Sequence, residues 1–307
     1  MENIKYIFGH KNPDTDSITS SLVMAEFEKQ LGNENAKACR LGKVNKETQF
    51  VLNYLGIEAP ELIENLEEGS DVILVDHASY EESIDNLDKM NILKVVDHHK
   101  LGLKTSYPLF YRAEPVGCTE TVLYKLYKEN GMKIERNIAI LMLSAIISDT
   151  LLFKSPTCTA EDKKAGEELA KIAGIDAEEY GLEMLKAGTD ISDFSIEEIL
   201  SMDAKKATIK DYSVIINQVN TASIDDVMEL KEELEKGMQN SISENNLDLF
   251  MLLITDIINS NSQVIALGNA AELIEKSYNV KLENNTALLE GIVSRKKQVI
   301  PVLTENA

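Results

Sequence analysis

Three stretches of this chain share one design, an apolar run that ends directly in acids and imidazoles. Ile4-Lys5-Tyr6-Ile7-Phe8 leads into Gly9-His10-Lys11-Asn12-Pro13-Asp14-Thr15-Asp16-Ser17, Leu74-Val75 into Asp76-His77, and Val95-Val96 into Asp97-His98-His99. Together these segments hold all 4 histidines of the 307 residues. Short apolar runs of this kind read as buried parallel strands. Open α/β sheets bind their ligands beyond the carboxyl ends of such strands. The pattern therefore constrains the N-terminal part to a parallel sheet with a metal site on one edge, and points to a metal-dependent phosphoryl hydrolase.

The rest of the N-terminal part alternates accordingly. Strands are expected at Ile4–Phe8, Ala36–Arg40, Val72–Val75 and Leu93–Val96, with helices at Ser17–Gln30, Gln49–Leu55 and Ser83–Met90. That alternation argues for a doubly wound, mostly parallel α/β sheet. Helices follow at Cys118–Asn130, Asn137–Ser148, Ala160–Ala173 and Glu178–Ala187, the second apolar nearly all round and so a core helix. Turn-forming and polar residues at 188–193 mark a break. The expected division is 1–188, a linker over 189–195, and a smaller α/β domain over 196–307. In the latter, strands are expected at Ala204–Ile209, Ser213–Val219, Phe250–Thr255 and Gln263–Leu267 around an acidic helix at Ile224–Met238.

Composition narrows the function. The net charge of −21 disfavours a polynucleotide partner, because phosphate contacts dominate such binding. Trp is absent and aromatic residues make up 6%, so no base-stacking surface is advertised. The 3 cysteines are widely spaced without a CxxC pair, as suits a reducing compartment. With no signal-peptide profile at the N-terminus and no apolar run of bilayer length, a cytoplasmic location off the membrane is expected.

Each candidate group has a plain structural alternative. Asn12-Pro13-Asp14-Thr15-Asp16-Ser17 is also what a turn and helix N-cap look like. A calcium loop fails, since the glycine and distal glutamate of an EF-hand are missing. Asp–His pairs are often satisfied structural hydrogen bonds, yet repeated pairs at strand ends crowd carboxylates that a cation would compensate. Imidazole with carboxylate and no thiolate favours Mn²⁺ or Co²⁺. Asp149 closes the apolar helix, where its charge meets the negative end of the dipole at a cost of up to ~1 kcal/mol unless a cation is near. Ser294-Arg295-Lys296-Lys297-Gln298 and Lys205 are dense positive charge in an acidic chain, either a solvated face or a phosphate clamp. Gly117-Cys118-Thr119 could open a helix that greets an anion, or be an ordinary helix start.

On these residues the chain closely resembles the family II, manganese-dependent inorganic pyrophosphatases of the DHH phosphoesterase superfamily. The resemblance is carried by His10-Lys11-Asn12-Pro13-Asp14-Thr15-Asp16, Val75-Asp76-His77, Asp97-His98-His99, Ser148-Asp149 and the basic run from Ser294. It implies that His10, Asp14 and Asp76 hold one Mn²⁺ and Asp16, Asp76, His98 and Asp149 a second, with Asp76 bridging. Co²⁺ is a substitute in that scheme, and Mg²⁺ accompanies the substrate. It further implies His99 as general acid, Lys205, Arg295 and Lys296 as the pyrophosphate clamp, a cleft between the domains, and a homodimer. Ala78-Ser79 stands where the family commonly has Asn-Glu, which leaves the ligands intact but alters their surroundings. The rival readings are an oligonucleotide or cyclic-dinucleotide phosphodiesterase of the same superfamily, and a non-catalytic metal- and phosphate-binding regulator.

Overall fold

The structure, a computed structural model, describes residues 3–307. Contacts divide the chain into two compact units, one ending at Gly188 and the other beginning at Thr189. In the first, β1 (Lys5–Phe8), β2 (Ala36–Arg40), β3 (Glu61–Leu62), β4 (Asp71–Val75), β5 (Asn91–Asp97) and β6 (Phe110–Ala113) form one sheet in the order β3-β2-β1-β4-β5-β6. Every pairing is parallel. Helix α1 (Thr15–Gln30) joins β1 to β2 and α2 (Lys46–Leu55) follows β2, after which the chain crosses back to lay β4 against β1. The strand order therefore reverses between β1 and β4. Two connections diverge there and leave a crevice at the carboxyl ends, where sheets of this order bind ligands.

Four further helices complete the unit: α3 (Thr119–Glu129), α4 (Arg136–Thr150), α5 (Ala160–Ala173) and α6 (Ala177–Gly188). Helix α1 packs on β1, β2 and β4, α3 packs on β5, and α4 lies against α1 and α5. Enclosure from several sides explains why α4 is buried continuously from Ala139 to Ile147 and carries no polar face. On the opposite face of the sheet Phe8, Val72, Leu74 and Val95 pack with Ile63, Ile84, Leu87 and Met90 from the connecting segments. The helix expected at Ser83–Met90 is absent. Ile84, Leu87 and Met90 recur every third residue, and the structure meets that spacing with a 3₁₀ turn at Leu87–Lys89, whose side chains repeat at three.

The second unit is a mixed five-stranded sheet, β11-β10-β9-β8-β7, made of β7 (Lys205–Ile209), β8 (Tyr212–Thr221), β9 (Leu249–Asp256), β10 (Asn261–Leu267) and β11 (Thr286–Leu289). Only β8 and β9 run parallel. The central strand β9 is buried throughout and its side chains alternate between two cores. Leu249, Met251 and Leu253 pack with Leu273 and Ile274 of α10 (Glu272–Tyr278) and Leu303 of α11 (Ile300–Asn306). Phe250, Leu252 and Ile254 pack instead with Ile199 of α7 (Ile196–Ser201), Val227 of α8 (Ile224–Met228) and Leu234 and Met238 of α9 (Lys231–Asn245). The single acidic helix expected at Ile224–Met238 is thus two helices. Glu232 and Glu233 occupy the first turn of the second, where acids suit a new helix N-terminus better than a continuing one. Among the described residues no helix is long and apolar enough to cross a membrane.

Candidate metal centre

The crevice between β1 and β4 gathers the acid–imidazole groups. Asp14 is the N-cap of α1, with Oδ1 accepting from the Ser17 amide at 2.9 Å. Its other oxygen, Oδ2, lies 3.4 Å from His10 Nε2. Helix cap and candidate ligand are therefore one residue using two oxygens. Asp16, fully buried in the first turn of α1, accepts from Ser20 Oγ at 2.8 Å and from the Thr119 amide at 2.7 Å. The anion greeted by the start of α3 is thus the chain's own carboxylate.

Asp76 sits just past β4 in the left-handed region, at φ 57°, with its amide held by the Val96 carbonyl at 3.0 Å. That backbone turns the carboxylate between two sets of partners. Oδ2 lies 3.3 Å from His10 Nε2, while Oδ1 lies 3.5 Å from His98 Nε2 and accepts from Thr119 Oγ1 at 3.0 Å. At the end of β5, Asp97 Oδ1 accepts from the His98 amide, the His99 amide and His99 Nδ1, at 2.8, 3.0 and 3.0 Å. His98 Nε2 stands 3.9 Å from Asp149 Oδ2 and 4.0 Å from Asp16 Oδ2.

His10, His77 and His98 share one device. Each sets Nδ1 against a backbone carbonyl, of Lys11, Val75 and Val116 respectively, at 2.7, 2.9 and 3.0 Å. A backbone acceptor at Nδ1 leaves Nε2 as the lone-pair nitrogen, the arrangement that orients a metal-binding imidazole. For His10 and His98 that nitrogen faces the carboxylates. For His77 it is buried without a hydrogen-bond partner among the described residues, so His77 stands outside the cluster.

Three sets of side chains bring potential ligand atoms within 4.8 Å of one another: His10, Asp14 and Asp76; Asp16, His98 and Asp149; and Asp76, His98 and His99. Asp76 belongs to two of them. Manganese fits these donors, which are oxygen and imidazole nitrogen with no thiolate. Buried Asp76 Oδ2, a member of the first set, accepts no hydrogen bond among the described residues, as an oxygen awaiting a cation would not. Electrostatics agree. Burial and then the charge of Asp76 push Asp16 up to about 7, and burial with Asp16 and Asp76 pushes Asp149 well above the carboxylate range. Burial opposes ionisation of Asp76 too, but the facing His10 and His98 outweigh it and hold its carboxyl low. Those carboxylates raise the imidazoles in turn, His10 to about 11 and His98 to about 9, against the opposing effect of burial.

A pH dependence follows with a definite sign. Protons on Asp16, His10 and His98 must leave before a divalent ion can take their lone pairs. Manganese affinity is expected to strengthen as pH rises from about 7 through 9 and on toward 11, the range of the raised Asp16, His98 and His10 groups. Calorimetry in two buffers of different ionisation enthalpy reads the protons released on loading. Loading that releases none would contradict this electrostatic picture.

Asp149 is carried by an unusual backbone. The three residues after Thr150, namely Leu151, Leu152 and Phe153, all have positive φ, at 47°, 53° and 63°. Such residues cost roughly 1–2 kcal/mol each and persist only where packing fixes them. Leu152 occupies the space above Gly181 of α6, and Phe153 that above Gly166 of α5. A Cβ at either glycine would come within 2.5 Å of the seated side chain. Alanine would gain about 1 kcal/mol of helix propensity there but lose about 1–3 kcal/mol to overpacking, so glycine suits both helices.

Asp97 and Thr119 lie in segments the sequence singled out, but their contacts, Asp97 with His99 and Thr119 with Asp16 and Asp76, were not legible there. Beside the cluster opens a cavity of about 290 Å³, lined among others by His10, Asp76, His99, Lys100 and the small side chains of Ala78 and Ser79. In the second unit, Lys205 is exposed at the start of β7, and the basic run forms a π-type turn, Arg295–Val299. Arg295 is mostly buried and its guanidinium is engaged by Asp203, two residues before Lys205, while Lys296 is exposed.

Comparison with known proteins agrees over the whole length. Residues 5–146 match the DHH family, N-terminal domain, and residues 182–306 match the DHHA2 domain. The chain is 55% identical over 307 residues to the manganese-dependent inorganic pyrophosphatase of Bacillus subtilis (strain 168), covering 99% of each. It is 54% identical over 300 residues to the "probable manganese-dependent inorganic pyrophosphatase" of Staphylococcus carnosus (strain TM300), covering 97% of each. Among solved structures, a Methanococcus jannaschii protein assigned to the family II inorganic pyrophosphatases superposes with a TM-score of 0.63 at 42% identity, covering 99% of both chains.

Proposed function

The chain belongs to the manganese-dependent inorganic pyrophosphatases of the DHH family, and on that premise we propose that it hydrolyses pyrophosphate to two phosphates at a two-ion centre bridged by Asp76. The observation that carries the proposal is the Asp76 carboxylate, one oxygen toward His10 and the other toward His98. In it, His10, Asp14 and Asp76 hold one ion and Asp16, Asp76, His98 and Asp149 the other. When bound, divalent manganese lowers the pKa of a water and neutralises phosphoryl charge.

The chain's own residues supply the rest. Asp97 fixes His99 through Nδ1, and this hydrogen bond raises the imidazole pKa against the opposing effect of burial. A half-exposed ring so held can present a protonated Nε2 to the leaving phosphate as general acid. Lys205, Arg295 and Lys296 supply the cations that hold pyrophosphate and balance charge as the bridging bond breaks. Arg295, engaged by Asp203, then exchanges that partner for phosphate oxygens. In this reading residues 189–195 are the linker, Mg²⁺ accompanies the substrate as its counter-ion, and Co²⁺ is a substitute for Mn²⁺. A homodimer is part of the same proposal, supported by the exposed Phe110 and Tyr111 on edge strand β6, and so is a cytoplasmic location, which rests on the sequence reading alone.

The test is phosphate release from pyrophosphate in the presence of Mn²⁺ and Mg²⁺, beside chromatographic detection of the linear dinucleotide or mononucleotides formed from a cyclic dinucleotide. Rapid hydrolysis of pyrophosphate alone is the expected result. Preference for the dinucleotide would overturn the reading, and hydrolysis of neither would leave a binding protein without turnover.

A further inference from the structure

Glu47, in the first turn of α2, belongs to none of the ligand sets, yet one of its oxygens ties two of them together. Oε1 accepts from Thr15 Oγ1 and from Ser148 Oγ, each at 2.5 Å. Thr15 lies between Asp14 and Asp16 at the start of α1. Ser148 immediately precedes Asp149 at the end of α4. The Thr15 hydroxyl also sits 3.1 Å from Thr48 Oγ1, so it is held from two neighbouring residues of α2. The side chain lies close against Gly188, where a Cβ would stand 2.8 Å from Glu47 Cβ and 3.1 Å from Oε2, so glycine there leaves Glu47 its place.

We infer that Glu47 is a positioning residue of the metal centre. By holding both hydroxyls on one oxygen it fixes the separation between the Asp14–Asp16 segment and Asp149, and so the opening of the set formed by Asp16, His98 and Asp149. It touches neither substrate nor ion. This inference rests on the reading of those residues as manganese ligands. Groups that orient ligands in this way typically change metal affinity by about 10–100-fold when removed. A residue that only stabilised the fold would instead lower the melting temperature and leave affinity per folded molecule unchanged.

The test is manganese titration of the metal-free full-length protein by calorimetry, with melting temperature recorded beside it. E47A is expected to weaken binding by about 10–100-fold, and E47Q, which keeps an oxygen acceptor for both hydroxyls, to restore most of it. T15V and S148A remove only one hydroxyl each and provide folded variants should E47A aggregate. Each is expected to reproduce part of the loss, and adding E47A to the pair to cost little more, as a coupled set requires. Parent-like affinity in E47A, or in the T15V/S148A pair if E47A does not fold, would overturn the inference, as would E47Q as weak as E47A. Phosphate release by the parent separates the two readings. A parent that binds manganese tightly but leaves pyrophosphate intact defeats the proposed reaction and not the role of Glu47. An active parent whose E47A variant binds manganese unchanged defeats Glu47 alone.

Discussion

Asp76→Asn is expected to weaken both manganese ions together, whereas Asp14→Asn or Asp149→Asn should weaken chiefly one. The asymmetry follows from position. Asp14 and Asp149 each belong to a single ligand set, while Asp76 belongs to two and is the most buried of the three. Its left-handed backbone and its bond from Thr119 fix which oxygen faces which imidazole. An amide at this position keeps the volume and the Thr119 contact but removes the negative charge between His10 and His98. The loss should exceed the ~10–100-fold typical of groups that merely orient ligands. Equilibrium dialysis against Mn²⁺ measures it, and a variant that still binds two ions as tightly as the parent would remove the bridge.

His99→Gln carries the second large effect, a fall in turnover of ~10²–10⁴ with manganese content nearly unchanged. Two features of the structure pull on His99 in different directions. Its Nδ1 is bonded to Asp97 and its ring is half exposed beside the cavity, which suits a group that acts on substrate. It also completes a ligand set with Asp76 and His98. Parallel measurement of turnover and bound manganese separates these roles. Loss of metal with little change in rate per bound ion would make His99 a ligand.

Much of the centre was legible in the sequence because strand ends are local. An apolar run followed at once by Asp-His places those groups at a sheet edge without any knowledge of the fold, and β4 and β5 do end in them, while β1 leads through Gly9 to His10. Asp14 was legible in two ways, as helix cap and as candidate ligand, and its two oxygens leave room for both, Oδ1 on the Ser17 amide and Oδ2 toward His10. Thr119 was not legible as a partner of Asp16, because the contact spans 103 residues and depends on α3 docking beside α1. The same holds for Glu47 and Ser148, 101 residues apart. Among secondary elements, the edge strands β3, β6 and β11 were missed, having 2, 4 and 4 residues and little continuous apolar character. The segment around Leu87 was misread because three-residue spacing of buried side chains resembles a helix face over one or two turns.

The central claim is that one carboxylate joins two ions, and anomalous diffraction at the manganese edge from metal-loaded crystals tests it most directly. The expected map has two strong peaks ~3.5–4 Å apart, the spacing of two-metal sites that act on phosphoryl groups. The Asp76 carboxylate should lie between them, with His10 against one and His98 against the other. A single peak, or two peaks that do not share Asp76, would contradict the account.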